Sequence, residues 1–451
     1  MKTFNFNRRD FLGLTAAGLG AGALGLTPSG DAQAAPFTDY RALVCVFLFG
    51  GNDAFNMVVP RSLAEYNAYA RSRQNLAIAR DALLPIDPLT SDGAQYGLHP
   101  SMTALAPLFA SGQLGIVANV GPLVQPVTRD QVLSRSVPLP PQLFSHNDQQ
   151  DQWQTLAGRL SLKTGWAGRA ADEIAVDTAA QRLPVNVTLA GTTSFQIGAN
   201  SVPYAIGTEG SPAYFVLTNP QAALAAERRA MFERLLATRS ASPIGRSFSA
   251  VQTRSLALAD AVNGALAQAP TLRTVFPQSQ LGAQLGAVAR MISVRDRLAM
   301  QRQVFLVAIG GFDTHDNQNT LQPGLLGDVS NSLAAFQAGL TELGIADSVV
   351  TFTQSDFGRT LTSNGDGTDH AWGGHQLVLG NPVRGRQIYG QMPSLEIGGP
   401  DDIGGGRIVP TLGADQYAAT LLRWFGLTPG QITAAAPNLA NFSVRDLGFV
   451  S

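Results

Sequence analysis

QVFLVAIGGFDTHDNQ, residues 303–318, and SVVTFTQSDFGRTLTSNGDGTDHAWGGHQ, residues 348–376, decide the fold of this chain. Each holds an apolar run, 304–309 and 349–353, that ends in a loop rich in Gly, Asp and His. Unbroken runs of β-branched and aromatic residues suit strands covered on both faces of a parallel sheet. In open α/β sheets, ligands bind just past the carboxyl ends of the strands. Asp313, His315, Asp356, His370 and His375 fall in that zone and are the first candidates for a site. The expected fold is α/β: a mixed, mostly parallel sheet flanked by helices.

At 451 residues the chain can bury a large core. A formal net charge of -1 and the lack of a basic block argue against nucleic acid as the partner. Lys2, Arg8 and Arg9 precede an apolar run over 11–26, and Ala32-Gln33-Ala34 offers small residues to a signal peptidase. NRRDFL, residues 7–12, resembles the twin-arginine export signal. The expectation is a signal over 1–35, read by the twin-arginine machinery, and a periplasmic or secreted domain over 36–451. An ordinary secretory signal or an uncleaved anchor is the alternative. No later run has the roughly 18 apolar residues of a membrane span. Cys45 is the only cysteine and lies in an apolar run, which predicts a buried, inert thiol.

Taken in order, 42–49 (ALVCVFLF) reads as the first strand and runs into Gly50-Gly51-Asn52-Asp53. Glycines there let the backbone turn sharply, leaving Asp53 at the tip as a ligand or a helix cap. Residues 61–80 and 102–110 read as helices, 114–120 as a strand, and His99 as an isolated loop histidine. FSHNDQQDQW, residues 144–153, offers a hydroxyl, an imidazole and acids at the start of a helix. Ser145 there is either a nucleophile near the positive end of the dipole or a plain cap. Residues 184–218 read as short strands and turns, and about 220–300 as a helical insertion or cap, its charged faces solvated. A crossover helix over 327–344, a strand over 376–380 and a helix over 416–425 complete the pattern.

All five histidines sit in Gly-, Asp- or Asn-rich segments rather than on an apolar helix face. Asp313 and His315, two apart on an extended segment, can point the same way. The turn Trp372-Gly373-Gly374 can bring His370 and His375 together. Carboxylate and imidazole ligands suit zinc, with manganese, calcium or magnesium as alternatives, and one or two ions. No P-loop, G-x-G-x-x-G or G-x-S-x-G accompanies them.

The export motif, the Gly50–Asp53 tip, GGFDTH at 310–315, DFGRT at 356–360 and DHAW at 369–372 together resemble the "domain of unknown function 1501" family. That family lies in the alkaline phosphatase/sulfatase-like superfamily. The resemblance implies an alkaline-phosphatase-like sheet. It also implies Asp53 and Asp356 on one ion, and Asp313, His315 and His370 or His375 on another. A nucleophile near Ser145, with His146 beside it, and Arg359 as an oxyanion clamp would complete the machinery. Phe357 stands where the superfamily often has a histidine, and Asp313 and His315 are more closely spaced than its usual pair. The implied activity is metal-dependent hydrolysis of small or polymer-borne phosphate or sulfate esters. The alternative is an accessory protein of secretion or surface assembly that kept the fold and lost catalysis.

Overall fold

A computed structural model describes residues 37–451 apart from 91, 213–216 and 218–222. The expected export signal lies outside the described residues. No helix among those described is long and apolar enough to cross a membrane. The strands are β1 (Arg41–Leu48), β2 (Val58–Pro60), β3 (Leu84–Ile86), β4 (Tyr96–Leu98), β5 (Leu114–Gly121), β6 (Asn186–Thr188) and β7 (Tyr204–Ala205). There follow β8 (Arg302–Ile309), β9 (Val349–Ser355), β10 (Arg359–Ser363), β11 (Thr368–His370), β12 (Gly374–Leu379), β13 (Ile388–Tyr389) and β14 (Leu412–Gly413). The main sheet has nine strands in the order β13-β5-β12-β9-β1-β8-β6-β7, with β14 also on β5. β1 sits at its centre, parallel to β8 on one side and to β9 on the other. β12 runs antiparallel to both β9 and β5, which makes the sheet mixed.

The apolar runs form strands because both faces are covered. Along β1, Ala42, Val44, Val46 and Leu48 enter one apolar cluster while Leu43, Cys45 and Phe47 enter the other, the two-residue alternation of a strand. Helices Gln280–Ser293 and Gln318–Glu342 cover the first face, and Ala414–Phe425 with Trp166–Glu173 the second. The crossover helix is longer than its predicted 327–344 span, and the strands it joins, β8 and β9, have β1 between them. Buried Gln284 exchanges two hydrogen bonds with the backbone of Ala308, at 2.9 and 3.0 Å. That pairing satisfies β8 where β6 no longer reaches it. Cys45 is fully buried, and burial pushes its thiol well above the ordinary value, as expected of an inert residue.

The helices of 220–300 divide in two. Gln280–Ser293 belongs to the core, whereas Ala225–Ala237 and the first half of Pro243–Leu266 stand at the surface. Among the described residues, the hydrogen bonds of His146, His315, Arg359 and His370 involve none of these three helices.

One buried acid makes stability depend on pH. Asp415, in the first turn of Ala414–Phe425, is 2% exposed. Burial pushes its carboxyl up to about 7 from 3.8, against the pull of the Asn438 N–H at 3.1 Å and the Arg169 charge. A folded-state value above the unfolded one means the folded chain holds the proton more tightly. The associated stability is full below pH 4 and lost as pH rises through 7. Urea titrations at pH 4.5 and pH 8 should show Asp415→Asn flattening this slope by on the order of a few kcal/mol.

Candidate metal centre

Three loops and one helix start meet past the carboxyl ends of β1, β8 and β9. The Gly50–Asp53 loop holds Gly50 and Gly51 at φ of 113° and 84°. A Cβ on Gly50 would lie 2.4 Å from the Asp313 nitrogen, and one on Gly51 would lie 2.3 Å from the Phe357 ring. Glycine is therefore required at both positions, by conformation and by contact.

Asp313 is the hub. Its Oδ1 accepts from Arg359 Nη1 at 2.7 Å and lies 3.1 Å from His315 Nε2 and 3.2 Å from His370 Nε2. Its Oδ2 lies 3.3 Å from His146 Nε2. Partial burial opposes ionisation, but the Arg359 hydrogen bond and charge, with the nearby imidazoles, hold its carboxyl below the ordinary range. Arg359 is fully buried and also donates to the Gly50 and Thr368 carbonyls and to Thr368 Oγ1. Its hydrogen bond orients Asp313.

The imidazole tautomers follow from their partners. His370 Nδ1 is 2.8 Å from the Phe144 carbonyl, which can only accept, so Nδ1 carries the proton. His370 Nε2 is left with its lone pair toward Asp313. Burial lowers the His370 value. His146 Nδ1 is 2.7 Å from Asp356 Oδ2, an oxygen that already accepts from Gly50 N and Gln150 Nε2. His146 Nδ1 therefore donates and Nε2 faces Asp313. Such outer partners are what orient metal-ligating histidines and fix their tautomer. One donor atom each from His146, Asp313 and His370 lies within 4.8 Å of the others. Two imidazole lone pairs and a carboxylate oxygen fit one divalent ion of the zinc or manganese kind.

His315 adjoins this triangle, its Nε2 2.8 Å from His370 Nε2 and its Nδ1 3.3 Å from Asp369 Oδ1. Phe357 stacks on His370 and His146, with ring centroids 4.6 and 4.8 Å apart. Phe357 thus walls the centre.

Four expected site residues are engaged otherwise. Asp53 is 1% exposed, paired with the buried Arg73 and bonded to Gln318 and the Asn56 N–H, so it is a cap and an ion-pair partner. Asp356 supports His146 from behind, and burial raises its carboxyl despite the bonds from Gln150 and His146. These two acids form no second donor set, and among the described residues one group of three or more donors is found. His375 lies inside β12, where Nδ1 accepts from Asn119 N at 3.1 Å and burial lowers it to about 3. Ser145 Oγ donates to Asp148 Oδ2 at 2.6 Å. His99 is buried, accepts from Ser101 N at 3.1 Å, and is lowered to about 4 by burial.

Sequence reading missed Arg407 and the Phe144 carbonyl. Arg407 lies over the Phe144 ring at 5.2 Å and donates to the His370 carbonyl at 3.3 Å, setting a half-exposed cation beside the centre. The Asp369-His370 pairing was in view, but Arg407 sits in a Gly-rich loop with no motif around it.

The sequence profile of the family described as "Protein of unknown function (DUF1501)" matches residues 40–401, and the chain belongs to that family. No curated protein matches. Among solved structures, Ps i-CgsB in complex with k-i-k-neocarrahexaose is similar at a TM-score of 0.33 and 8% identity, over 87% of this chain and 74% of that one. The PsFucS1 sulfatase from Pseudoalteromonas sp. has a TM-score of 0.33 and 9% identity, over 91% and 73%. Thermus thermophilus alkaline phosphatase has a TM-score of 0.25 and 16% identity, over 74% and 64%.

Proposed function

We propose that this family member is an exported hydrolase of phosphate or sulfate esters that holds one divalent metal on His146, Asp313 and His370. The observation that carries the reading is the pair of fixed tautomers, which turn two Nε2 lone pairs toward one carboxylate. A bound ion of the zinc class would supply Lewis-acid polarisation of an ester oxygen. Asp356 and the Phe144 carbonyl keep His146 and His370 in register, and Arg359 keeps Asp313 ionised and aimed. His315, with Asp369 near Nδ1 and Nε2 turned toward His370 and Asp313, lines the centre as a hydrogen-bond donor. Arg407 supports an anionic substrate, because its guanidinium lies next to His370 and is half exposed. Ser145 positions the helix that carries His146. The twin-arginine-like start supports export to the periplasm or beyond.

Elemental analysis of protein purified without chelators, with assay on an aryl phosphate and an aryl sulfate, tests this. About one metal per chain and hydrolysis of either ester is the expected result. Metal without hydrolysis favours the accessory-protein alternative, and absence of metal removes the proposal. Asp356→Asn should weaken metal binding by roughly 10–100-fold, because it disturbs only the partner of a ligand. A chelator competition titration measures that.

A further inference from the structure

We infer that the surface hairpin of Ala225–Ala237 and Pro243–Leu266 docks the protein onto an anionic lipid surface. The helices run antiparallel, since Arg229 near the start of the first pairs with Asp260 near the end of the second. The less exposed residues of each helix, Arg229, Phe232 and Leu236 on one and Gly245, Ser249, Gln252 and Leu256 on the other, mark its inward line. At about 100° per residue, Met231 and Leu235 lie roughly a quarter turn behind that line. Ile244, Phe248 and Val251 lie a quarter turn behind it in the same sense on the second helix. On antiparallel neighbours, equal offsets of the same sense fall on the same side of the pair. The five side chains therefore form one apolar face, each 55–82% exposed.

Charge is segregated to match. Arg228 lies on the apolar face, and Arg234, Arg254 and the single acid Glu227 lie at its outer edges. None of the three arginines has a carboxylate partner among the described residues. Glu233 and Asp260 lie on the opposite side, where both are held by Arg229. Two copies meeting through this face would bring like charges together, which argues against self-association. A protruding apolar ridge whose rim carries a net positive charge suits an interface whose inner layer is apolar and whose headgroups are negative. Buried Val262, Ala265 and Leu266 root the end of the second helix in the core, so the face is held outward. The expectation that the charged faces of this stretch are simply solvated is thereby narrowed to the acidic side.

Flotation of the full chain with phosphatidylcholine vesicles, with and without phosphatidylglycerol, tests the inference. Partitioning should be at least tenfold stronger on the anionic vesicles. Phe248→Asp should bring it to background, and the double change Arg228→Gln, Arg254→Gln should remove the preference for phosphatidylglycerol. Both variants should melt at the wild-type temperature, because no core contact is touched. Any binding through other parts of the chain is common to all forms and cancels in the comparison. Equal partitioning of wild type and Phe248→Asp would overturn the inference. So would a dimer in sedimentation that Phe248→Asp dissolves, or capture of the face by an acidic protein with no lipid binding.

Discussion

Replacing His146 or His370 with Ala is expected to reduce metal affinity by well over about 100-fold, beyond the range seen when only a ligand's outer partner is lost. Each change removes one of three donor atoms that lie within 4.8 Å of one another. A remaining imidazole and carboxylate cannot enclose an ion that needs at least three protein donors for a tight site. Both imidazoles sit at the surface end of the sheet, 29% and 23% exposed in their side chains. The fold should therefore survive, and a fall in metal content with unchanged thermal melting is the expected pair of readings. His375→Ala is the contrast: it removes a fully buried ring packed edge-on against Phe55 at 5.3 Å. Stability should fall there by roughly 1–3 kcal/mol, with metal content kept. If His375→Ala loses the metal and His370→Ala keeps it, the assignment is reversed.

The strands around the centre were legible because burial on both faces leaves a run of apolar residues that no surface element shares. Their carboxyl ends were legible because Gly50, Gly51, Gly310 and Gly311 announce sharp turns before chemical groups. Side-chain direction past those ends was not. Asp313 and His315 do meet, but His370 and His375 part company because the first ends β11 while the second enters β12, a strand of the main sheet. A strand position within an antiparallel pair turns the ring into the core, where Asn119 receives it. His146 was legible as chemistry and not as a ligand, since nothing in 144–153 says which loop it will face. The partners of Asp356 and Asp53 were not legible for one reason: in both cases they are remote. His146 lies 210 residues from Asp356 in the chain, and Arg73, on a helix that reads as polar surface, lies 20 from Asp53.

The Asp53–Arg73 pair gives the sharpest separation of structural from metal-binding acids. Both side chains are sealed from solvent, at 1% and 0% exposure. Arg73 is further fixed by Asn56 Oδ1 at 3.1 Å and the Thr360 carbonyl at 2.8 Å, and Gln318 completes Asp53. Truncating one partner of such a pair strands the other charge in a low-dielectric site, a loss of about 3–5 kcal/mol. Asp53→Ala should therefore unfold at markedly lower urea, and Arg73→Met should do the same. Replacing both at once by apolar residues of similar volume should recover part of the loss, because no unpaired charge then remains. Metal content in every form that folds should equal that of the wild type. A ligand role predicts the opposite pattern, with metal lost from Asp53→Ala and retained in Arg73→Met. Urea midpoints read beside elemental analysis therefore decide whether the acid at the tip of β1 binds an ion or bolts two segments of the fold together.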